Sequence, residues 1–264
     1  QAEMEKLRAA AYYHEKGCVF NITPDYASTI RLGLDARRAE LEARLAQAVA
    51  ESDATAQEFT TCALRAVDAV LDLADRYRAE ADRQGLTQIA RTLSRVPRLG
   101  AQTFHEALQF LRILHFTLWC EGEYHNGLGR VDQYLYPYFA ADLAAGRLTE
   151  ESALELIEEF FLSCNRDSDL YIGVQQGDNG QSLMLGGVDR SGKDAFNDLS
   201  RLCLRASCEL KVIDPKINLR VSSSTPLSIL EAGTELTRHG LGFPQYANDD
   251  VVIPALVRLG YELE

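Results

Sequence analysis

Apolar positions recur at the three- and four-residue spacing of amphipathic helices through the N-terminal part of the chain. Two long helices are predicted at about 25–50 and 54–84, rich in alanine, leucine, arginine and glutamate, with Gly85 placed to end the second. They read as an outer helical layer. Phe104, Leu108, Leu111, Leu114 and Leu118 mark one side of a helix over about 102–120. Another, over about 150–165, starts where Thr149 can cap it, with Glu150 and Glu151 near its positive end.

Beyond residue 165 the texture changes. Short β-type runs at 183–188 and 217–222 alternate with helices near 194–209, 226–239 and 251–259. That alternation predicts an α/β arrangement with parallel strands. In the run 217–222, Ile217, Leu219 and Val221 form one face and Asn218, Arg220 and Ser222 the other. Parallel strands covered on both faces usually read as unbroken apolar runs. The polar face is therefore expected to look into a lumen that binds something polar, against the equal alternative that Arg220 pairs with a structural carboxylate. No internal repeat or linker is present, so one domain, or part of a larger one, is predicted.

The stretch from Gly122 to Tyr138 stands apart, because polar, charged and glycine residues interrupt apolar helices and lead into the cluster Tyr134, Tyr136 and Tyr138. Chemistry is expected here first. A helix delivers this loop onto a packed wall.

Composition narrows the function classes. With 264 residues and 46% hydrophobic content, a chain of this size can bury roughly 70–75% of its unfolded surface. Its 27 basic and 39 acidic residues give a formal charge of −12, which repels phosphate backbones and anionic lipid surfaces. The basic runs at Arg37–Arg38 and Arg91–Arg98 alternate with apolar residues and read as solvated helix faces, so no nucleic-acid partner is expected. No window approaches a membrane span and no secretory pattern opens the sequence, which predicts a cytoplasmic protein. Six cysteines (Cys18, Cys62, Cys120, Cys164, Cys203 and Cys208) form no CxxC pair and read as reduced structural thiols.

Other motif scans return nothing. Gly127-Leu128-Gly129 lacks the third glycine of a dinucleotide loop. Asp167-Ser168-Asp169 opens like a calcium loop but has Asp178 at the twelfth position and no glycine at the sixth. His105 and His115 are too far apart on their helix for a metal face, so no metal is expected.

Taken in order, the motifs resemble those of the glycyl radical enzymes, the pyruvate formate-lyase-like superfamily. The run Gly129-Arg130-Val131-Asp132-Gln133-Tyr134-Leu135-Tyr136-Pro137-Tyr138 is similar to that family's signature, in the form of its dehydratase and decarboxylase branches. Leu185-Gly186-Gly187-Val188-Asp189, Thr225-Pro226, and Gly240-Leu241-Gly242-Phe243-Pro244 with Asn248-Asp249-Asp250 resemble later elements. Thr103-Phe104-His105-Glu106-Ala107-Leu108-Gln109 resembles the helix before the signature. The likeness spans roughly residues 95–262.

The resemblance implies part of a ten-stranded α/β barrel with a large outer helical layer, residues 1–100 supplying outer helices and 101–264 strands and helices of the barrel. It implies a lyase that cleaves C–C or C–heteroatom bonds. A glycyl radical, the protein-derived cofactor, would be installed by a radical-S-adenosylmethionine activating enzyme and would generate a thiyl radical on a cysteine. A homodimer and an anaerobic source are also implied. None of the six cysteines stands at the family's cysteine-loop position and no glycyl-loop motif occurs, so the chain is expected to be a middle fragment, with no catalytic residue of its own and inactive in isolation. The competing reading is a non-catalytic α/β binding or assembly module that keeps the wall without the chemistry.

By the same resemblance, His125 and Asn126 stand near a polar pair that related dehydratases place against a small-molecule substrate. Gln181 matches a neighbouring element, where Gly180 replaces a phenylalanine and implies a roomier pocket. Arg220 and Phe243 complete the expected substrate-binding set, with loop, ion-pair or core packing as the plain reading of each. Arg130, Asp132 and Gln133 are expected to be structural, the first two as a pair.

Overall fold

The computed structural model describes residues 6, 7, 9, 10, 22–120, 125–166 and 180–262. In chain order the elements are α1 (Tyr26–Leu32), α2 (Leu34–Ala50), α3 (Ala54–Arg83), α4 (Thr87–Leu93), α5 (Phe104–Cys120), α6 (Val131–Tyr134) and α7 (Tyr136–Ala144). They are followed by α8 (Glu150–Arg166), β1 (Ser182–Gly186), α9 (Asp198–Leu210), β2 (Lys216–Val221), α10 (Leu227–Thr237), β3 (Gln245–Asn248) and α11 (Asp249–Arg258). Cys18, residues 122–124 and the run from Asp167 to Asp178 lie outside the described residues. Two compact units share the chain, and the helical one takes residues 25–117 and 137–147, so it extends past residue 100.

In the helical unit, the single helix expected at 25–50 is two. Gly33 separates them with φ +89°, a left-handed backbone open to glycine, and a Cβ there would overlap the Arg98 carbonyl oxygen. The turn lets Leu34 and Asp35 N–H donate to the carbonyls of Pro97 and Arg98 at 2.8 and 3.0 Å. Tyr26, Ile30, Phe104, Phe110, Leu111 and Phe139 are buried in this core, and Phe104 meets Phe139 edge-to-face at 5.6 Å.

Asp142, 4% exposed, ties the unit together: its Oδ2 accepts the Phe104 N–H at 2.8 Å, and its Oδ1 accepts from Arg147 at 2.6 and 2.9 Å. The carboxylate thus serves an orphan donor at the start of α5. Asp142→Ala is expected to cost about 2–3 kcal/mol, because a buried backbone donor and a guanidinium both lose a charged partner. Urea denaturation checks this, and a loss under about 0.5 kcal/mol would show that water replaces the carboxylate.

The second unit holds the sheet. β1, β2 and β3 lie side by side in that order and all parallel, with Met184 opposite Asn218 and Leu185 opposite Leu219. The run ahead of α6 extends the sheet on the β1 side: Leu128 N–H donates to Ser182 O, Met184 N–H donates to Gly129 O, and Gly129 bridges Leu183 in parallel. Leu183, Leu185, Ile217 and Leu219 are fully buried on one face, and α8, α9 and α10 pack in succession. On the other face stand Ser182, Met184, Asn218 and Arg220, of which all but Asn218 are half-buried. The expected alternation in 217–222 is present, and parallel pairing carries it across both strands. No helix among the described residues is long and apolar enough to cross a membrane.

Candidate functional site

At the C-terminal end of β1, the conspicuous polar motif grips the strand. Leu128, Val131 and Leu135 are buried and seat the one-turn helix α6. From that anchor Arg130 donates to Gly186 O at 2.8 Å and Val188 O at 3.3 Å. Asp132, fully buried, accepts from Gly186 N–H at 2.7 Å and from the Ser200 hydroxyl at 2.6 Å, both on Oδ2. Gln133 donates to Ala195 O at 2.9 Å, and Asn197 donates to Asp132 O at 2.8 Å. The expected Arg–Asp partnership takes a different form: the two side chains hold opposite polarities of the same strand end.

Burial is the main cause of the electrostatics here. It pushes the Asp132 carboxyl above its ordinary range, against the hydrogen bonds from Ser200 and Gly186. It lowers the Arg130 guanidinium, helped by repulsion from Arg220. Burial, followed by the nearby Asp132 charge, pushes the Cys203 thiol up, which leaves that cysteine unreactive.

Arg220 reaches the same end from β2. Its Nε and terminal nitrogen donate to the two carboxylate oxygens of Asp249, each at 2.9 Å, with the side chains 19% and 4% exposed. Asp249 also accepts the Val188 N–H at 3.0 Å. Asn248 caps α11 by accepting from Asp250 N–H, and Asp250 accepts the Ser223 N–H at 2.6 Å. Asp249 therefore joins the ends of β1, β2 and β3.

The remaining candidates gather at the opposite end of the strands. Asn126 and Gln181 are fully buried, and Gln181 donates to Cys164 O at 2.8 Å while accepting the Lys216 N–H at 2.9 Å. His125 is half-buried with φ +66°. Phe243, 4% exposed, lines a cleft of about 300 Å³ with Ile213, Lys216, Leu241, Gly242 and Gln245. Its two expected roles, core packing and pocket lining, coincide.

Comparison with known proteins gives these two rims a context. The pyruvate formate lyase-like family model matches residues 3–264. The chain belongs to that family. It is 38% identical over 170 residues to a (2S)-3-sulfopropanediol dehydratase of Klebsiella oxytoca, an alignment covering 62% of this chain and 21% of that one. An isethionate sulfite-lyase of Nitratidesulfovibrio vulgaris is 35% identical over 184 residues, covering 66% and 22%. A solved Roseburia inulinivorans structure concerned with 1,2-propanediol dehydration superposes with a TM-score of 0.80 at 32% identity, covering 92% of this chain and 33% of that one. The chain thus spans about a fifth to a third of the length of these relatives.

Within this glycyl radical enzyme family member, the candidate residues fall into two groups. His125, Asn126, Gln181 and Phe243 share the strand entries, whereas Arg220 stands at the exit with Arg130, Asp132 and Asp249. The five residues of β1 put roughly 16 Å between the two ends. Gly180 does not open the roomier pocket anticipated there: a Cβ on it would lie 2.6 Å from His125 Cγ and 3.0 Å from His125 Cα, so the imidazole fills the space. Asp249 and Ser200 were absent from the expected set. The helix-start triplet Asn248-Asp249-Asp250 was visible, but its acidic residues have a sufficient local explanation at a helix N-terminus.

Proposed function

We propose that this chain is part of the barrel wall of a glycyl radical lyase of the dehydratase, decarboxylase or formate-lyase type, acting on a small-molecule substrate. One observation carries the reading: in a chain matched to the family over residues 3–264, Arg130 and Asp132 of the signature lock onto the Gly186–Val188 end of a parallel sheet. The ten-stranded barrel extends that sheet beyond the strands described. Its continuation accounts for β3, which is largely exposed, and for the apolar residues Val251, Leu256, Leu259 and Tyr261, which are 41–76% exposed on and after α11.

In this reading the radical glycine and the cysteine it activates belong to polypeptide beyond these residues, and together they supply hydrogen-atom abstraction. The chain's own residues shape and orient. Asn126 and Gln181 hold the strand entries, His125 and Phe243 face the substrate, and the polar side of β2 lines the lumen. Arg220 held by Asp249 fits a wall residue that stiffens the exit rim. A homodimer, a radical-S-adenosylmethionine activating partner and a cytoplasmic, anaerobic setting follow from the same reading.

The test is anaerobic activation of two polypeptides with the activating enzyme: the 264-residue chain and the full-length protein that contains it. The full-length protein is expected to develop a glycyl radical signal in electron paramagnetic resonance and to turn over a diol or hydroxysulfonate. The 264-residue chain is expected to show neither. Absence of both from the full-length protein would favour a non-catalytic wall module instead.

A further inference from the structure

We propose that Gly180 is the positioning residue for His125: the missing side chain at 180 is what admits the imidazole to the entry of β1. The inference rests on the reading that His125 serves the substrate site, but its steric part stands on geometry alone. His125 has φ +66°, a backbone state that a non-glycine residue adopts at a cost and that local packing must hold. Gly180, itself at φ +67°, lies directly against it. An ideal Cβ on Gly180 would overlap His125 Cδ2, approach Cγ to 2.6 Å and approach Cα to 3.0 Å.

A clash with a ring tip is relieved by a rotamer change. Here the Cα is also within 3.0 Å, so a side chain at 180 displaces the backbone of His125 as well as its ring. The next residues cannot follow that movement freely. Asn126 and Gln181 are both fully buried, Gln181 is bonded to Cys164 O and Lys216 N–H, and Leu128 is bonded to Ser182 O. Displacement is therefore concentrated on His125, the half-buried member of the group. Residue 180 thereby sets where the imidazole stands without itself meeting the substrate.

The experiment uses the full-length protein with two substitutions at 180, since alanine combines the Cβ with left-handed strain. Asparagine tolerates the left-handed backbone yet still carries the Cβ, so Gly180→Asn isolates the clash. Each is made alone and with His125→Ala. Imidazole resonances of His125 are followed by NMR on histidine-labelled protein, and kcat/KM is measured against pH with glycerol, 1,2-propanediol and isethionate as probes. Gly180→Asn is expected to shift the His125 resonance and to lower kcat/KM by about tenfold or more, as sub-ångström misplacement of an active group does. In the His125→Ala background the same substitution is expected to change kcat/KM by less than about twofold, because the ring it displaces is gone.

An unmoved His125 resonance in Gly180→Asn overturns the proposal. So does an equal loss of kcat/KM in the two backgrounds. If His125→Ala alone leaves turnover of every probe intact while the resonance still moves in Gly180→Asn, the steric pairing holds and the substrate role of His125 fails.

Discussion

Replacing Asp132 by alanine is expected to cost about 3–5 kcal/mol of folding stability and to release the C-terminal end of β1. The carboxylate is fully buried, and removing it leaves the Gly186 N–H without its acceptor and the Ser200 hydroxyl with only its longer 3.3 Å bond to Asn197 Oδ1. Each buried orphan costs about 1–3 kcal/mol, and the vacated volume adds a packing loss. Asp132→Asn should be milder, because both donors converge on Oδ2 and one amide oxygen can accept both, while its NH2 group takes the buried, unpartnered Oδ1 position and keeps the loss from vanishing. The pair also differs in pH dependence. Burial holds the Asp132 carboxyl above its ordinary value of 3.8, so the folded chain binds that proton more tightly than the unfolded one. This contribution is fully present below pH 3.8 and is lost as pH rises through the folded-state value. The asparagine variant lacks the decline, so its deficit against the wild type should narrow as pH rises. Urea titrations across that interval read both effects. Equal losses for the two variants at every pH would mean that an isosteric amide replaces nothing of the carboxylate.

The sequence made the parallel pair legible because β1 and β2 are apolar or alternating runs set between helices with clear periodicity. β3 was not, since Gln245-Tyr246-Ala247-Asn248 is short and largely exposed, with no apolar alternation. It is a strand because β2 offers a hydrogen-bonding edge, which is tertiary context and not propensity. Polar, charged and glycine residues made the stretch read as a loop, yet its last residues open α7, where a proline in the first turn has no N–H partner to lose. The site was legible as a place rather than as a set of contacts. Arg130 and Asp132 were singled out, but the atoms they hold lie 54–68 residues away along the chain, a distance at which no local pattern speaks. The alternation along β2 was legible in the sequence. The partner of Arg220 lies 29 residues on and could be named only once the strands were side by side.

Asp249→Ala should be the second costly change, at about 3–5 kcal/mol, because it strips a bidentate partner from a guanidinium that is 19% exposed and an acceptor from the Val188 N–H. The penalty belongs mostly to the charge left behind. Adding Arg220→Met to Asp249→Ala is therefore expected to recover about 2–3 kcal/mol, so the two substitutions should be strongly non-additive in a double-mutant cycle. Gly187 supplies an independent check: a Cβ there would stand 2.8 Å from both Arg220 Nε and Asp249 Oδ2, wedging the pair apart. Gly187→Ala should lose only the part of its effect that comes from striking Asp249 once Asp249 is alanine, since its φ of +83° and the 2.9 Å approach to Arg220 Cβ penalise a side chain in either background. Stability and turnover then separate the two roles open to Arg220. If it only braces the rim, Arg220→Met with Asp249→Ala in the full-length protein regains turnover together with stability. If the guanidinium also meets substrate, stability returns and kcat/KM stays low, because the paired aspartate then serves to hold a cation aimed at the lumen.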